Sequence, residues 1–342
     1  MAQSVKWIDF RTIGLEGQAW QGQKFESHYD RIPIAAKKSI PDTVWRNSLS
    51  PTGMSISFVT DSPTIFIRRK FESDQMEERN FNNCSFSGFD LYAEHNGSLR
   101  WVCTTNHRFG NAEEYPLNLD PIEGRYTYRL YLPCRNRLLK AELGIEAGAF
   151  FEPVAPRPEK DAIVYYGSSI VHGAYSSHAG LCHPAWLGRK LNRPTYNFGF
   201  SGAARMELEI ADLLGTLNPA VFVLDPMPNM GLDEIELRAK AFLKRLRKLR
   251  PETPFLLVED APKTNGWIFR QKWMDNKKRW NAMRKVWKEL KGEGENNIAY
   301  LKGNSLFGSD GEASIDSIHP GDLGYLRMTE HLYPVLKKIL VN

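Results

Sequence analysis

The chain has 342 residues, 42% of them hydrophobic and 25% charged, and 45 basic against 40 acidic side chains give a net charge of +5. That length suits about two domains, and a composition near the globular average excludes a disordered chain. No run of about eighteen apolar residues occurs, which excludes a transmembrane helix, and the basic stretches Arg238 to Arg250 and Arg270 to Lys291 carry apolar residues at helical spacing, the pattern of solvated helix faces rather than of a nucleic-acid surface.

The opening residues carry Lys6, Asp9, Arg11 and Glu16 where a signal peptide needs an apolar core. The chain is therefore expected to lack an export signal and to be cytoplasmic, or exported or periplasmic if it is a processed form. Cys84, Cys103, Cys134 and Cys182 show no CxxC spacing, and whether any of them pair is left to the redox compartment.

Over residues 1–155 the chain is a series of short alternating or apolar segments between turn residues. Strands are expected at Met54 to Phe58, at Thr64 to Ile67 after Asp61-Ser62-Pro63, at Phe89 to Tyr92, at Leu99 to Cys103 after Asn96-Gly97, and at Tyr126 to Leu132. Many short strands with few helical windows predict an antiparallel β-sandwich. Phe151 to Lys160, with three prolines and mixed charge, reads as a stiff, exposed connector.

From 156 to 342 the grammar changes. Apolar strands are expected at Ile163 to Tyr166, Thr195 to Phe198, Ala220 to Leu224, Phe255 to Val258 and Ile298 to Leu301. Helices lie between them, including Leu232 to Leu249 and a long one in which Trp273, Trp280 and Trp287 recur at seven-residue spacing. Continuous apolar strands with intervening helices predict a parallel sheet covered on both faces, a three-layer α/β/α domain. The tryptophan stripe reads as packing.

Four segments of this half carry chemistry. Tyr165-Tyr166-Gly167-Ser168-Ser169-Ile170 runs from a buried strand into a tight turn, where ligands of a parallel sheet bind. Alone, that turn is also an ordinary loop. Asp316-Ser317-Ile318-His319 places a carboxylate within one turn of an imidazole, which suits a base and its orienting partner, or equally a helix-capping Asp beside a surface His. Between them, Gly199-Phe200-Ser201-Gly202 and Pro228-Asn229 follow two further strands, where Gly202 N–H and the Asn229 amide could face a developing oxyanion.

In this order the four segments resemble the blocks of the SGNH (GDSL-like) hydrolases, over roughly residues 160 to 340. Upstream, Gly88-Phe89-Asp90-Leu91-Tyr92 is similar to the Gly-x-Asp-Leu-Tyr signature of an N-terminal β-sandwich attached to one branch of that family. The resemblance implies Ser169 as nucleophile, His319 as base, Asp316 as its partner, and an oxyanion hole of the Ser169 and Gly202 N–H groups with the Asn229 amide. The block's usual Asp is here Ser168, and register favours Ser169 over Ser168. His178 stands where this branch is expected to have Arg. His172 and His178 are the candidate substrate-pocket residues.

No cofactor is expected. The spacing of His172, His178 and His183 with Cys182 matches no common zinc pattern, so no metal is expected either. Glu259-Asp260 follows another strand, but neighbours in an extended chain face opposite ways, which argues against a glycosidase acid pair. The expected function is a serine esterase acting on short acyl groups, acetyl foremost, of a small-molecule or oligosaccharide ester. The alternatives are a lipase or thioesterase for longer chains, and a non-catalytic carbohydrate-binding or scaffold protein. No nucleic-acid or membrane partner is expected, and the oligomeric state is not legible.

Overall fold

The computed structural model describes residues 4–105 and 112–341, and the chain divides into two compact units. The first takes in Met1–Ile34, Leu49–Arg157 and Ser177–Gly180, and the second Ala35–Ser48, Pro158–Ser176 and Leu181–Asn342. The division is thus not a single cut, since a segment before residue 49 belongs with the C-terminal half.

In chain order the first unit holds β1 (Val5–Asp9), α1 (Phe10–Ile13), β2 (Ser55–Thr60) and β3 (Ile65–Phe71), while α2 (Asp42–Ser48) belongs to the second unit. There follow α3 (Asn83–Phe86), β4 (Asp90–His95), β5 (Ser98–Thr104), β6 (Glu114–Pro116), β7 (Tyr126–Tyr131), β8 (Leu138–Glu146) and β9 (Phe151–Val154). They form one sheet of order β1-β8-β3-β6 and another of order β5-β4-β7-β2-β9, with every pairing antiparallel. Alternation makes the core: Ile65 and Ile67 of β3 and Leu143 of β8 pack with Ile56 and Phe58 of β2, Leu91 of β4 and Leu130 of β7. This is the expected sandwich, with inner faces apolar and outer faces wetter.

Strands β1, β6, β8 and β9 depart from the sequence expectation. Phe151–Val154 is not connector but the edge strand β9, with Pro153 opposite Phe58. An edge strand tolerates proline because one of its sides donates to no neighbour. The central strand β8 was also unforeseen.

The second unit contains β10 (Ile163–Gly167), α4 (Ser169–His172), α5 (His183–Leu191), β11 (Thr195–Gly199), α6 (Leu208–Leu214), β12 (Val221–Asp225) and α7 (Leu232–Leu249). It continues with β13 (Phe255–Val258), α8 (Arg270–Gly292), β14 (Ile298–Leu301) and α9 (Asp322–Val341). The sheet is all parallel, in the order β11-β10-β12-β13-β14. Every residue of β10, β11 and β12 is buried, as expected for strands covered by helices on both faces. One helical group is α6, α7 and α8, and α5 pairs with α9. Chain order reverses at β10, between β11 and β12, and such a switch point opens a crevice at the carboxyl ends of the strands. None of the described helices is long and apolar enough to cross a membrane.

Candidate active site

At the switch point, β10 ends at Gly167 and the chain turns directly into α4. Ser168 caps that helix, its Oγ accepting from the Ile170 N–H at 3.3 Å. Capping occupies the first serine and buries it completely, which leaves the second free to face His319. Ser169 Oγ lies 2.8 Å from His319 Nε2.

The turn is possible only because the strand ends lack side chains. A Cβ on Gly199, which pairs with Gly167 in register, would lie 2.2 Å from the His172 backbone nitrogen. Asn197 and Tyr325 then fix the helix in place. Asn197 Nδ2 donates to the Val171 carbonyl at 2.7 Å while its Oδ1 accepts from Gly199 N–H. The Tyr325 hydroxyl, from α9, reaches the carbonyls of Ile170 and Ala174 at 2.9 and 2.8 Å.

Residues 314–320 form a closed loop in which Ile315 N–H donates to the His319 carbonyl. Within it, Asp316 Oδ1 accepts from the backbone N–H groups of Ile318 and His319 at 3.0 and 2.8 Å, and Oδ2 sits 2.7 Å from His319 Nδ1. Partial burial by itself would raise the Asp316 pKa, but these N–H groups and the imidazole outweigh it and hold the carboxyl below its usual value. Ser317, between the two residues, takes a left-handed φ of 75°, as does Tyr175 at 62°, conformations that cost a non-glycine residue energy and that cluster at functional sites. The Tyr175 ring lies 5.6 Å from that of His319. Thr264, after β13, braces the loop through its N–H to the Ser317 carbonyl and its Oγ1 to Ser314 Oγ.

The loop after β11 is tied to the same turn. Phe200 N–H donates to the Gly167 carbonyl, and the Phe200 carbonyl accepts from Asn229 Nδ2 at 3.1 Å. That bond uses one hydrogen of the Asn229 amide and leaves the other free. Among the described residues the backbone N–H groups of Ser169 and Gly202 donate to no protein acceptor, and Gly202, at φ 68°, faces open space. Asn47 of α2 donates to the Ser201 carbonyl at 3.3 Å.

The two histidines expected to line a pocket are each engaged by a neighbouring side chain. His172 is fully buried beneath the turn, with Nδ1 3.1 Å from Ser201 Oγ, so it supports the loop and presents nothing to a ligand arriving from solvent. His178 belongs to the first unit, where its Nδ1–H donates to Asp90 at 2.8 Å. Asp90 of the Gly-Phe-Asp-Leu-Tyr motif also accepts from the Gly180 N–H, and Tyr92 packs so closely that a Cβ on Gly180 would lie 2.6 Å from its ring. The motif therefore fastens residues 177–180 onto β4, while Phe89 and Leu91 enter the sandwich core.

His183 is buried between Tyr165 and Tyr325, and burial pushes its pKa down to about 3. Among the described residues no group of three or more His, Cys, Asp and Glu side chains is placed to hold a metal ion, and none of the four cysteines is in a disulfide. Glu259 and Asp260 are both consumed structurally. Glu259 binds Arg284, Tyr300 and the Gly303 N–H, and Asp260 binds Arg279, Asn276 and Trp280.

Asn197, Tyr325, Thr264 and Asn47 were not found from sequence. Tyr325 alone carried a signal, being a tyrosine six residues past His319 on the following helix. The other three are polar residues in otherwise ordinary segments.

Comparison with known proteins places both halves of the chain among known families. Residues 160–337 match the model of the GDSL-like Lipase/Acylhydrolase family, and residues 5–151 match that of the N-terminus of Esterase_SGNH_hydro-type proteins. No curated protein sequence matches the chain significantly. Among solved structures, a protein described as a GDSL-like lipase from Bacteroides ovatus ATCC 8483 is 28% identical, with a TM-score of 0.91 over 99% of this chain and 98% of that one. A salicylyl-acyltransferase from a tetracycline biosynthetic pathway is 18% identical, with a TM-score of 0.76 over the whole of both chains. A family two carbohydrate esterase from Cellvibrio japonicus is 13% identical, with a TM-score of 0.63 over 99% of each chain. With its parallel sheet, its Ser169–His319–Asp316 chain of contacts and a family match over more than half its length, this chain belongs to the GDSL-like lipase/acylhydrolase family.

Proposed function

We infer that the protein hydrolyses carboxylic esters through an acyl-enzyme on Ser169, and that its substrate is a short acyl ester, acetyl foremost, of a carbohydrate. The observation that carries the reading is the unbroken hydrogen-bonded chain from Ser169 Oγ through the His319 imidazole to Asp316. With Asp316 ionised and held at Nδ1, the neutral imidazole keeps its proton there and turns the Nε2 lone pair toward the serine hydroxyl.

As Ser169 Oγ attacks the ester carbonyl, His319 takes the hydroxyl proton and the carbonyl oxygen becomes an oxyanion. The uncommitted N–H groups of Ser169, Gly202 and Asn229 suit that charge. Collapse of the intermediate breaks the bond to the alcohol, which leaves with the proton from His319. Water, deprotonated by the same imidazole, then attacks the acyl-enzyme, and Ser169 recovers its proton as the acid departs. Residues 156–342 act as the catalytic domain in this reading, with 1–155 accessory.

The acyl and alcohol preferences rest on what lies near the triad and on fold. Tyr175, Gly202 and Asn229 are polar-tipped or small, which suits a compact acyl group and a hydrated alcohol. The sugar is drawn by analogy from the fold shared with the Cellvibrio japonicus carbohydrate esterase. The test compares kcat/KM on nitrophenyl acetate, butyrate, octanoate and palmitate, and on a panel of acetylated oligosaccharides. The reading requires efficiency to fall with chain length and at least one acetylated sugar to be turned over. Rising efficiency with chain length returns the protein to the lipases or thioesterases.

A further inference from the structure

A cavity of about 500 Å³ in the second unit is not used by the chemistry above. It lies between the loop after β13, the start of α8 and residues 307–311, and its walls include Trp267, Trp273, Met274 and Phe307. Two cations also line it, Lys263 and Arg270, and no carboxylate does. Among the described residues neither cationic head group makes a hydrogen bond or ion pair. The acids close by are committed elsewhere: Asp260 to Arg279, Asp310 to Arg327 and Asp316 to His319.

The rim is unusual for a surface facing only water. Trp267 is 79% exposed, and Ile268, Phe269 and Met274 are also exposed, so four large apolar side chains stand in solvent within eight residues. A concentrated apolar patch around a cavity marks a place where something binds. Trp280 and Trp287 of the same helix instead donate their Nε1–H groups to the Asp260 and Ile298 carbonyls, so the tryptophan stripe is packing at its second and third positions and cavity wall at its first.

We propose that this cavity is a binding site for a carboxylate carried on a ring, as in a uronic-acid unit of a glycan or an aromatic acid, with the ring against Trp267, Trp273 and Phe307 and the carboxylate between Lys263 and Arg270. Aromatic walls accept either the apolar face of a sugar or an aromatic ring, and the two cations accept the anion. Burial, with Arg279 nearby, pushes the Lys263 amine down to about 8 against the opposing pull of Asp260 and Asp316, so near neutral pH it is largely charged. Thr264, in the same wall, hydrogen-bonds Ser314 and Ser317. A ligand here therefore sits against the loop that carries Asp316 and His319, and in the ester-hydrolase reading it would be a remote part of the substrate.

The test is calorimetric titration of the full chain bearing Ser169→Ala, near neutral pH. The probes are an oligogalacturonide and ferulate, each beside a neutral counterpart in which the carboxylate is an amide. The acid should bind at least about tenfold more tightly than its amide, and which acid does so identifies the source of the ring. Lys263→Met with Arg270→Met should bring the acid down to the affinity of the amide, while Trp267→Ala should weaken both. Equal affinity for acid and amide, no binding of either acid, or undiminished binding by the double variant would each overturn the proposal. None of these outcomes depends on Ser169 being the nucleophile, so this inference and the esterase reading fail separately.

Discussion

Replacing Asp316 with asparagine should cost far more activity than stability. The exchange keeps one oxygen, which can still accept from the Ile318 and His319 N–H groups at the Oδ1 position. At the Oδ2 position, 2.7 Å from His319 Nδ1, it puts an NH2 group in place of an acceptor. The imidazole must then offer its Nδ1 lone pair and move its proton to Nε2, which faces Ser169 Oγ at 2.8 Å. The base is lost in that tautomer. The same exchange in the serine-protease template lowers kcat about ten-thousandfold. The Asp316 side chain is 34% exposed, so water competes for the imidazole, and a loss of about a thousandfold, or about 4 kcal/mol, is expected here. The assay is kcat/KM on nitrophenyl acetate with a thermal melt alongside, and the melting temperature should be nearly unchanged. A variant within about tenfold of the parent would show that Asp316 does not set the tautomer.

Asn229→Ala removes the amide that spans to the Phe200 carbonyl and should lower kcat by about a hundred- to a thousandfold with little change in KM; a pure KM effect would make Asn229 a substrate-positioning residue only. Gly199→Ala drives a methyl group into the His172 backbone, so both stability and activity should fall, and an unchanged denaturation midpoint would refute that contact. Because the His183 pKa falls from 6.5 to about 3 in the fold, the unfolded chain binds one more proton across that window. Stability should therefore drop as pH falls from about 6.5 toward 3, by up to about 1.4 kcal/mol per unit from this group. His183→Phe should flatten the slope in urea unfolding, and equal slopes would contradict it.

The parallel sheet was legible because β10 and β12 are continuous apolar runs that end in glycine or aspartate, and burial on both faces demands such runs. The turn before β5 was legible from Asn96-Gly97, which adopt φ values of 51° and 73°, as a tight two-residue turn requires. By contrast β8 reads Leu-Leu-Lys-Ala-Glu-Leu-Gly-Ile-Glu, rich in helix formers, and becomes a strand only because β1 and β3 pair with it on either side. That is tertiary information, absent from a local window. The site divides in the same way. The Asp-x-x-His spacing lies within one loop and can be read along the chain, whereas the burial of His172 and the capture of His178 by Asp90 depend on contacts distant in sequence. A histidine in a loop after a strand gives no local sign of which way it turns.

The central claim is that Ser169, and not the capping Ser168, carries the acyl group. Treating the protein with a nitrophenyl phosphonate and mapping the adduct by peptide mass spectrometry tests it most directly. The account predicts one adduct, on Ser169, formed in step with loss of esterase activity and absent from Ser169→Ala, which should itself be inactive and folded. An adduct on Ser168 or Ser201, or a Ser169→Ala protein that still hydrolyses nitrophenyl acetate at the parental rate, would contradict it.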